Sequence, residues 1–88
     1  MWCVVTSYSF DMEFHVYGCK TRDEAIGLMR KIFWDTVKTE EKESAVGLDR
    51  NGTFVDEESG YAKILWRSTN VRDDEDNMEI RVAEVENK

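Results

Sequence analysis

The stretch Thr21-Arg22-Asp23-Glu24-Ala25-Ile26-Gly27-Leu28-Met29-Arg30-Lys31-Ile32-Phe33-Trp34-Asp35-Thr36-Val37-Lys38 decides the fold. Its first four residues read as a capping box, in which the Thr21 hydroxyl accepts from the Glu24 amide and the Glu24 carboxylate reaches back to the Thr21 amide. At about 100° per residue, Ala25, Ile26, Leu28, Met29, Ile32, Phe33, Thr36 and Val37 fall in one broad sector, and Gly27, Arg30, Lys31 and Lys38 face away. Asp23 and Glu24 near the start and Lys38 near the end suit the helix dipole. The spacing predicts one amphipathic helix from Arg22 to about Thr39, fading through Ser44 where the apolar period stops.

Upstream, Trp2 to Phe10 alternates with Val4, Thr6, Tyr8 and Phe10 on one side and Cys3, Val5, Ser7 and Ser9 on the other, which is strand periodicity. Phe14-His15-Val16-Tyr17-Gly18 resumes the alternation after Asp11-Met12-Glu13, so a β-hairpin is expected. A three-residue loop pairs Phe10 with Phe14 and Tyr8 with Val16 and gathers the large apolar groups on one face; that register is favoured. Downstream, Thr53-Phe54-Val55, Tyr61 to Arg67 and Met78 to Val85 read as further strands, with Ser68 to Asn77 an acid-rich, solvated connection.

The expected architecture is therefore α+β in the order β-β-α-β-β-β. One amphipathic helix packs on one face of a four- or five-stranded antiparallel sheet, in a single domain over residues 1–88. A chain this short buries only about 60–65% of the surface its unfolded form exposes, so one core carries the fold. The second sheet face is left to water or a partner.

Charge narrows the function. Twelve Lys and Arg stand against 19 Asp and Glu, a formal net charge of -7, opposite to what phosphate neutralisation requires, so no direct nucleic-acid binding is expected. No apolar run approaches the roughly 20 residues that cross a bilayer, and the N-terminus lacks a signal-peptide pattern, which predicts a cytoplasmic protein with no membrane partner. Cys3 and Cys19 form no Cys-x-x-Cys pair, so reduced structural thiols are expected, cross-strand neighbours in the favoured register. The only histidine, His15, lies about 13 Å along the strand from Cys19, beyond reach for nucleophilic catalysis. The five glycines fall in no phosphate-binding pattern. These features point away from an enzyme and from any cofactor.

Two segments carry weaker chemical signals. Gly47 to Glu58 overlays a calcium-binding EF-hand loop at Asp49, Asn51, Gly52, Phe54 and Glu58, but Gly47 stands where the first aspartate ligand belongs and no exiting helix follows. A polar turn with positive φ at Asn51-Gly52 is the favoured expectation, and no metal site is assigned. The run Asp73, Asp74, Glu75 and Asp76 could present a negative surface to a basic partner, because clustered carboxylates sum their fields. The half from Ser44 onward carries most of the negative excess, which keeps an acidic mimic or inhibitor of a basic or nucleic-acid-binding target as the alternative function, with a calcium-responsive module after it.

Trp34 projects from the polar side of the predicted helix, either as an anchor for a protein partner or packed beneath a returning Thr39 to Asp56 segment. Trp2 and Trp66, on strands, are expected to add an aromatic patch to the face the helix leaves bare, and a homodimer through that face follows. The leading expectation is a non-enzymatic protein-interaction or self-associating module.

Val4-Val5-Thr6-x-Tyr8-Ser9-Phe10-Asp11, the Glu24-Ala25 helix start and Tyr61-Ala62-Lys63-Ile64 resemble small uncharacterised proteins of clostridia-like Gram-positive bacteria, a resemblance spanning most of the chain. It implies a bacterial cytosolic origin and no particular chemistry.

Overall fold

A computed structural model describes residues 1–9, 11–43, 47–67 and 76–85. The elements run β1 (Trp2–Tyr8), β2 (Asp11–Cys19), α1 (Arg22–Glu43), a 3-10 turn (Arg50–Gly52), β3 (Phe54–Asp56), β4 (Tyr61–Leu65) and β5 (Asn77–Glu84). The five strands form one sheet in the order β2-β1-β5-β4-β3, with every neighbouring pair antiparallel. The helix packs on one face, giving the two-layer α+β architecture that the apolar periods predict.

Helix α1 starts at its cap: the Glu24 amide donates to Thr21 Oγ1 at 3.1 Å. The return bond differs from the expected box, because Glu24 Oε2 accepts from the Lys20 amide at 3.0 Å, one residue earlier. Ala25, Ile26, Met29, Phe33 and Val37 are buried on the sheet, each of the large ones contributing roughly 1.5–3 kcal/mol by removal from water. The helix continues past the apolar period to Glu43 through Glu40-Glu41-Lys42, good helix formers, and Glu40 meets the Trp66 indole there.

Alternation along the strands then assigns the two faces. Val4, Thr6, Ile80, Met78, Ala62 and Ile64 meet the helix and are almost wholly buried. Arginines tie the helix to the β3–β4 turn. Arg22 donates to the Glu57 and Glu58 carbonyls at 3.1 and 2.7 Å, and Arg30 pairs with the Glu57 carboxylate. Gly60 closes that turn with φ +70°, and its carbonyl accepts from the Val82 amide at 2.8 Å.

The hairpin register corrects the sequence expectation. Val5 faces Val16, Thr6 faces His15 and Ser7 faces Phe14, and then the register slips so that Tyr8 faces Asp11. The three residues expected as a loop thus belong to β2, and the slip leaves Met12 and Glu13 unmatched as a bulge. Phe10 lies outside the described residues. Cys3 faces Gly18 while Cys19 faces Trp2, so the two thiols sit on opposite faces of the sheet and both are free.

Candidate functional site

The face away from the helix divides into two halves. Across β3, β4 and β5 it is internally satisfied. The Tyr61 hydroxyl donates to Glu79 Oε1 at 3.0 Å, Arg81 Nη2 donates to Glu79 Oε2 at 3.1 Å, and the Arg81 guanidinium lies 5.0 Å from the Tyr61 ring centroid. Phe54 packs on Tyr61 at 5.8 Å. The hydrogen bond from Arg81 holds the Glu79 carboxyl below its ordinary value, while burial and then the Glu79 hydrogen bond push the Tyr61 phenol up.

Across β1 and β2 the situation is different. Phe14 is 65% exposed and Val16 56% exposed on the bare face, and Tyr17 is 42% exposed on the other side of the same strand. His15 is exposed as well. The helix covers the middle of the sheet and the Cys19 end of β2 but leaves Phe14 to Gly18 exposed, and β2 is an edge strand whose outer backbone pairs with nothing among the described residues. Between Phe14 and Cys19 there is no Lys, Arg, Asp, Glu or Pro, the residues that normally discourage edge pairing. The opposite edge, β3, is only three residues long.

The three tryptophans separate. Trp34 is 47% exposed, on the polar side of α1 as its helical angle predicts, and stands edge-on to Phe33 with ring centroids 5.0 Å apart. Trp2 and Trp66 do not form a patch on the bare face. Both lie on the helix side, Trp2 partly buried against the core and Trp66 only 9% exposed, and the Trp66 indole donates to Glu40 Oε2 at 2.9 Å. The reason is parity: Trp2 shares the face of Val4, and Trp66 that of Ala62 and Ile64.

Of the acidic run, Asp73, Asp74 and Glu75 lie outside the described residues. Asp76 is exposed, and its carbonyl accepts from the Trp66 amide at 2.9 Å. The EF-hand overlay does not become a loop. Asp49 caps the 3-10 turn by accepting from the Asn51 amide at 2.9 Å, and Phe54–Asp56 is drawn out as a strand against β4. Asp56 Oδ1 accepts instead from the Glu58 amide at 3.1 Å, so the would-be ligands are spread along two separate turns. Gly52 does not supply a positive φ; it is required because a Cβ there would stand 2.8 Å from Leu65 Cβ. Among the described residues no three His, Cys, Asp or Glu side chains cluster to hold a metal ion. Burial raises the Cys19 thiol, with the Glu24 carboxylate adding to it, so that thiol is held in its unreactive protonated form.

Beside Trp34 lies a cleft of about 550 Å³ between the second half of α1 and the segment from Gly47 to Thr53. Phe33, Val37 and Leu48 line its apolar part, and Glu41, Arg50 and Arg67 contribute charge. Pairing holds this segment in place: the Asp49 amide donates to the Leu65 carbonyl at 2.8 Å and the Arg67 amide to the Gly47 carbonyl at 3.0 Å. Trp34 therefore borders the returning segment without being covered by it.

Comparison with protein-family models, curated proteins and solved structures finds no match for this chain. Among the described residues, no helix is long and apolar enough to cross a membrane. Two features escape the sequence reading, the unprotected edge of β2 and the arginine pair at the cleft. The uncharged run from Phe14 to Cys19 is a signal for the first; the second depends on Arg50 and Arg67 reaching one cleft through a backbone pairing that no local pattern announces.

Proposed function

We propose that this protein is a non-enzymatic module that works by self-association, two copies joining antiparallel through β2 into one continuous sheet. The supporting observation is the inequality of the two sheet edges. Edge β3 is blunted by its length, whereas β2 presents nine residues with exposed Phe14, Val16 and Tyr17 and no charge between Phe14 and Cys19.

We place the two-fold axis of this pairing at Val16, near the centre of the uncharged run. A two-fold axis passing at Val16 sets Val16 against its own copy, His15 against Tyr17, and Phe14 against Gly18. The Phe14 ring then covers a residue with no side chain, a favourable cross-strand neighbour for an aromatic group. Such an interface is isologous and closes at two copies. Phe14 and Tyr17 are already partly covered in the single chain, so pairing removes only a fraction of the roughly 150–250 Å² of a fully buried aromatic for each ring, and the backbone bonds of the edge add to it. With -7 on each chain, the copies repel at long range, so association strengthens as salt screens them.

The test is sedimentation velocity from about 10 to 100 µM, a range spanning weak to moderate dimer affinities, in low and high salt. Wild-type protein is expected to form a dimer that strengthens with salt, and Val16→Lys to be monomeric with an unchanged far-UV circular dichroism spectrum. A wild-type monomer throughout, or a dimer indifferent to Val16→Lys, refutes the proposal.

A further inference from the structure

Five arginines lie in the described residues, and they divide by environment. Arg22 donates to turn carbonyls, Arg30 pairs with Glu57 and Arg81 with Glu79. Arg50 and Arg67 are exposed and form no ion pair among the described residues, and both line the Trp34 cleft. In a chain with seven excess negative charges, two unengaged guanidinium groups beside the same apolar hollow make a local site of opposite sign. One carboxylate, Glu41, also lines the cleft. The nearby Asp49 carboxylate already accepts from the Asn51 amide.

We propose that this cleft binds a small organic anion carrying a planar aromatic ring. The ring lies against the exposed Trp34 indole above Phe33, Val37 and Leu48, and the anionic group is met by Arg50 and Arg67. Guanidinium suits carboxylate and phosphate alike, because its planar fork matches paired oxygens. The volume of about 550 Å³ falls within the roughly 300–1,000 Å³ of small-molecule sites. A neutral or cationic ring gains the apolar contact without the arginines, so the charge of the ligand sets the selectivity. This site shares no side chain with the β2 edge, and its occupancy is independent of self-association.

The experiment follows the three indole N–H signals of the labelled full chain by two-dimensional NMR, with Trp34 assigned from Trp34→Phe. Indole-3-acetate tests the carboxylate source, adenosine monophosphate the phosphate source, and tryptamine is the cationic control. Saturable movement of the Trp34 signal is expected for at least one anion with a dissociation constant at or below about 1 mM. Tryptamine, and the anion on the Arg50→Gln/Arg67→Gln variant, should be weaker by about tenfold or more, the factor that a lost charge-assisted hydrogen bond implies. An unmoved Trp66 signal in that variant shows that the fold is retained. If no anion saturates by about 10 mM, or tryptamine binds as well, or the arginine variant binds unchanged, the proposal is overturned.

Discussion

Replacing Gly60 with alanine tests how the turn, the helix and β5 are locked together. Gly60 is buried and has φ +70°, a backbone conformation that costs an L-residue about 1–2 kcal/mol. The added Cβ would stand 3.0 Å from Val82 Cβ and 3.7 Å from Ile26 Cδ1. Val82 Cβ cannot rotate away, since it is fixed to a backbone whose amide donates to the Gly60 carbonyl at 2.8 Å. Relief requires β5 or the turn to move, an overpacking cost of about 1–3 kcal/mol. The reduced freedom of the unfolded chain returns only about 0.4–1 kcal/mol. The net expectation for Gly60→Ala is a loss of about 2–4 kcal/mol, a large share of the roughly 4–13 kcal/mol available to a domain of this length. Urea unfolding followed by circular dichroism should show the midpoint falling by about 2 M or more, at a slope near 1 kcal/mol per M. Gly27→Ala is the control: it lies on the exposed side of α1 with open space around it, and alanine there should stabilise by about 0.8–1 kcal/mol. A Gly60→Ala midpoint equal to that of the parent would refute the locking of turn to sheet.

Two further outcomes follow from the hydrogen-bonded side chains. Glu40→Ala removes the carboxylate that accepts from the Trp66 indole N–H at the helix end and should cost about 1–3 kcal/mol, read by thermal unfolding and a change in tryptophan emission, whereas Glu40→Gln keeps an acceptor and should cost less. Glu79 is held below the unfolded carboxyl value of about 4.3, chiefly by Arg81. Its contribution is therefore complete above that value and disappears as pH falls through the lowered folded one. Tyr61 is shifted upward, so its contribution is complete below about pH 10 and disappears as pH rises through the raised folded value. Stability measured against pH should lose part of its acid limb in Glu79→Gln and part of its alkaline limb in Tyr61→Phe; unchanged limbs would refute the triad on the bare face.

The helix was readable because cap, apolar period and charge all agreed from Thr21 to Lys38, and four of the strands because each alternates, whereas the three-residue β3 was legible only as a short partner for the run from Tyr61. The hairpin register was not, because the bulge at Met12 and Glu13 breaks the strict two-residue period that a loop-length argument assumes. Trp2 and Trp66 carry a different lesson. Each shares parity with a fully buried neighbour, Val4 for the first and Ile64 for the second, so the same alternation that identified the strands already placed both rings beneath the helix. Trp34 could be assigned to the polar side from its angle alone, whereas the cleft beside it depends on Leu48 pairing with Trp66, a contact between distant parts of the chain.

The sheet order has a consequence for how the molecule is made. Strand β5 sits between β1 and β4, with Trp2 against Glu84 and Thr6 against Ile80. A nascent chain lacking β5 thus holds two separate pieces, the β1–β2 hairpin and the β3–β4 hairpin, with α1 between them and no continuous layer to cover. Pairings of such long sequence separation slow folding, so an emerging polypeptide holds Val4 and Met29 without their full cover until β5 is made. Cooperative closure should arrive in a single step when residues near 80 leave the ribosome, making translation-coupled protease resistance all-or-none.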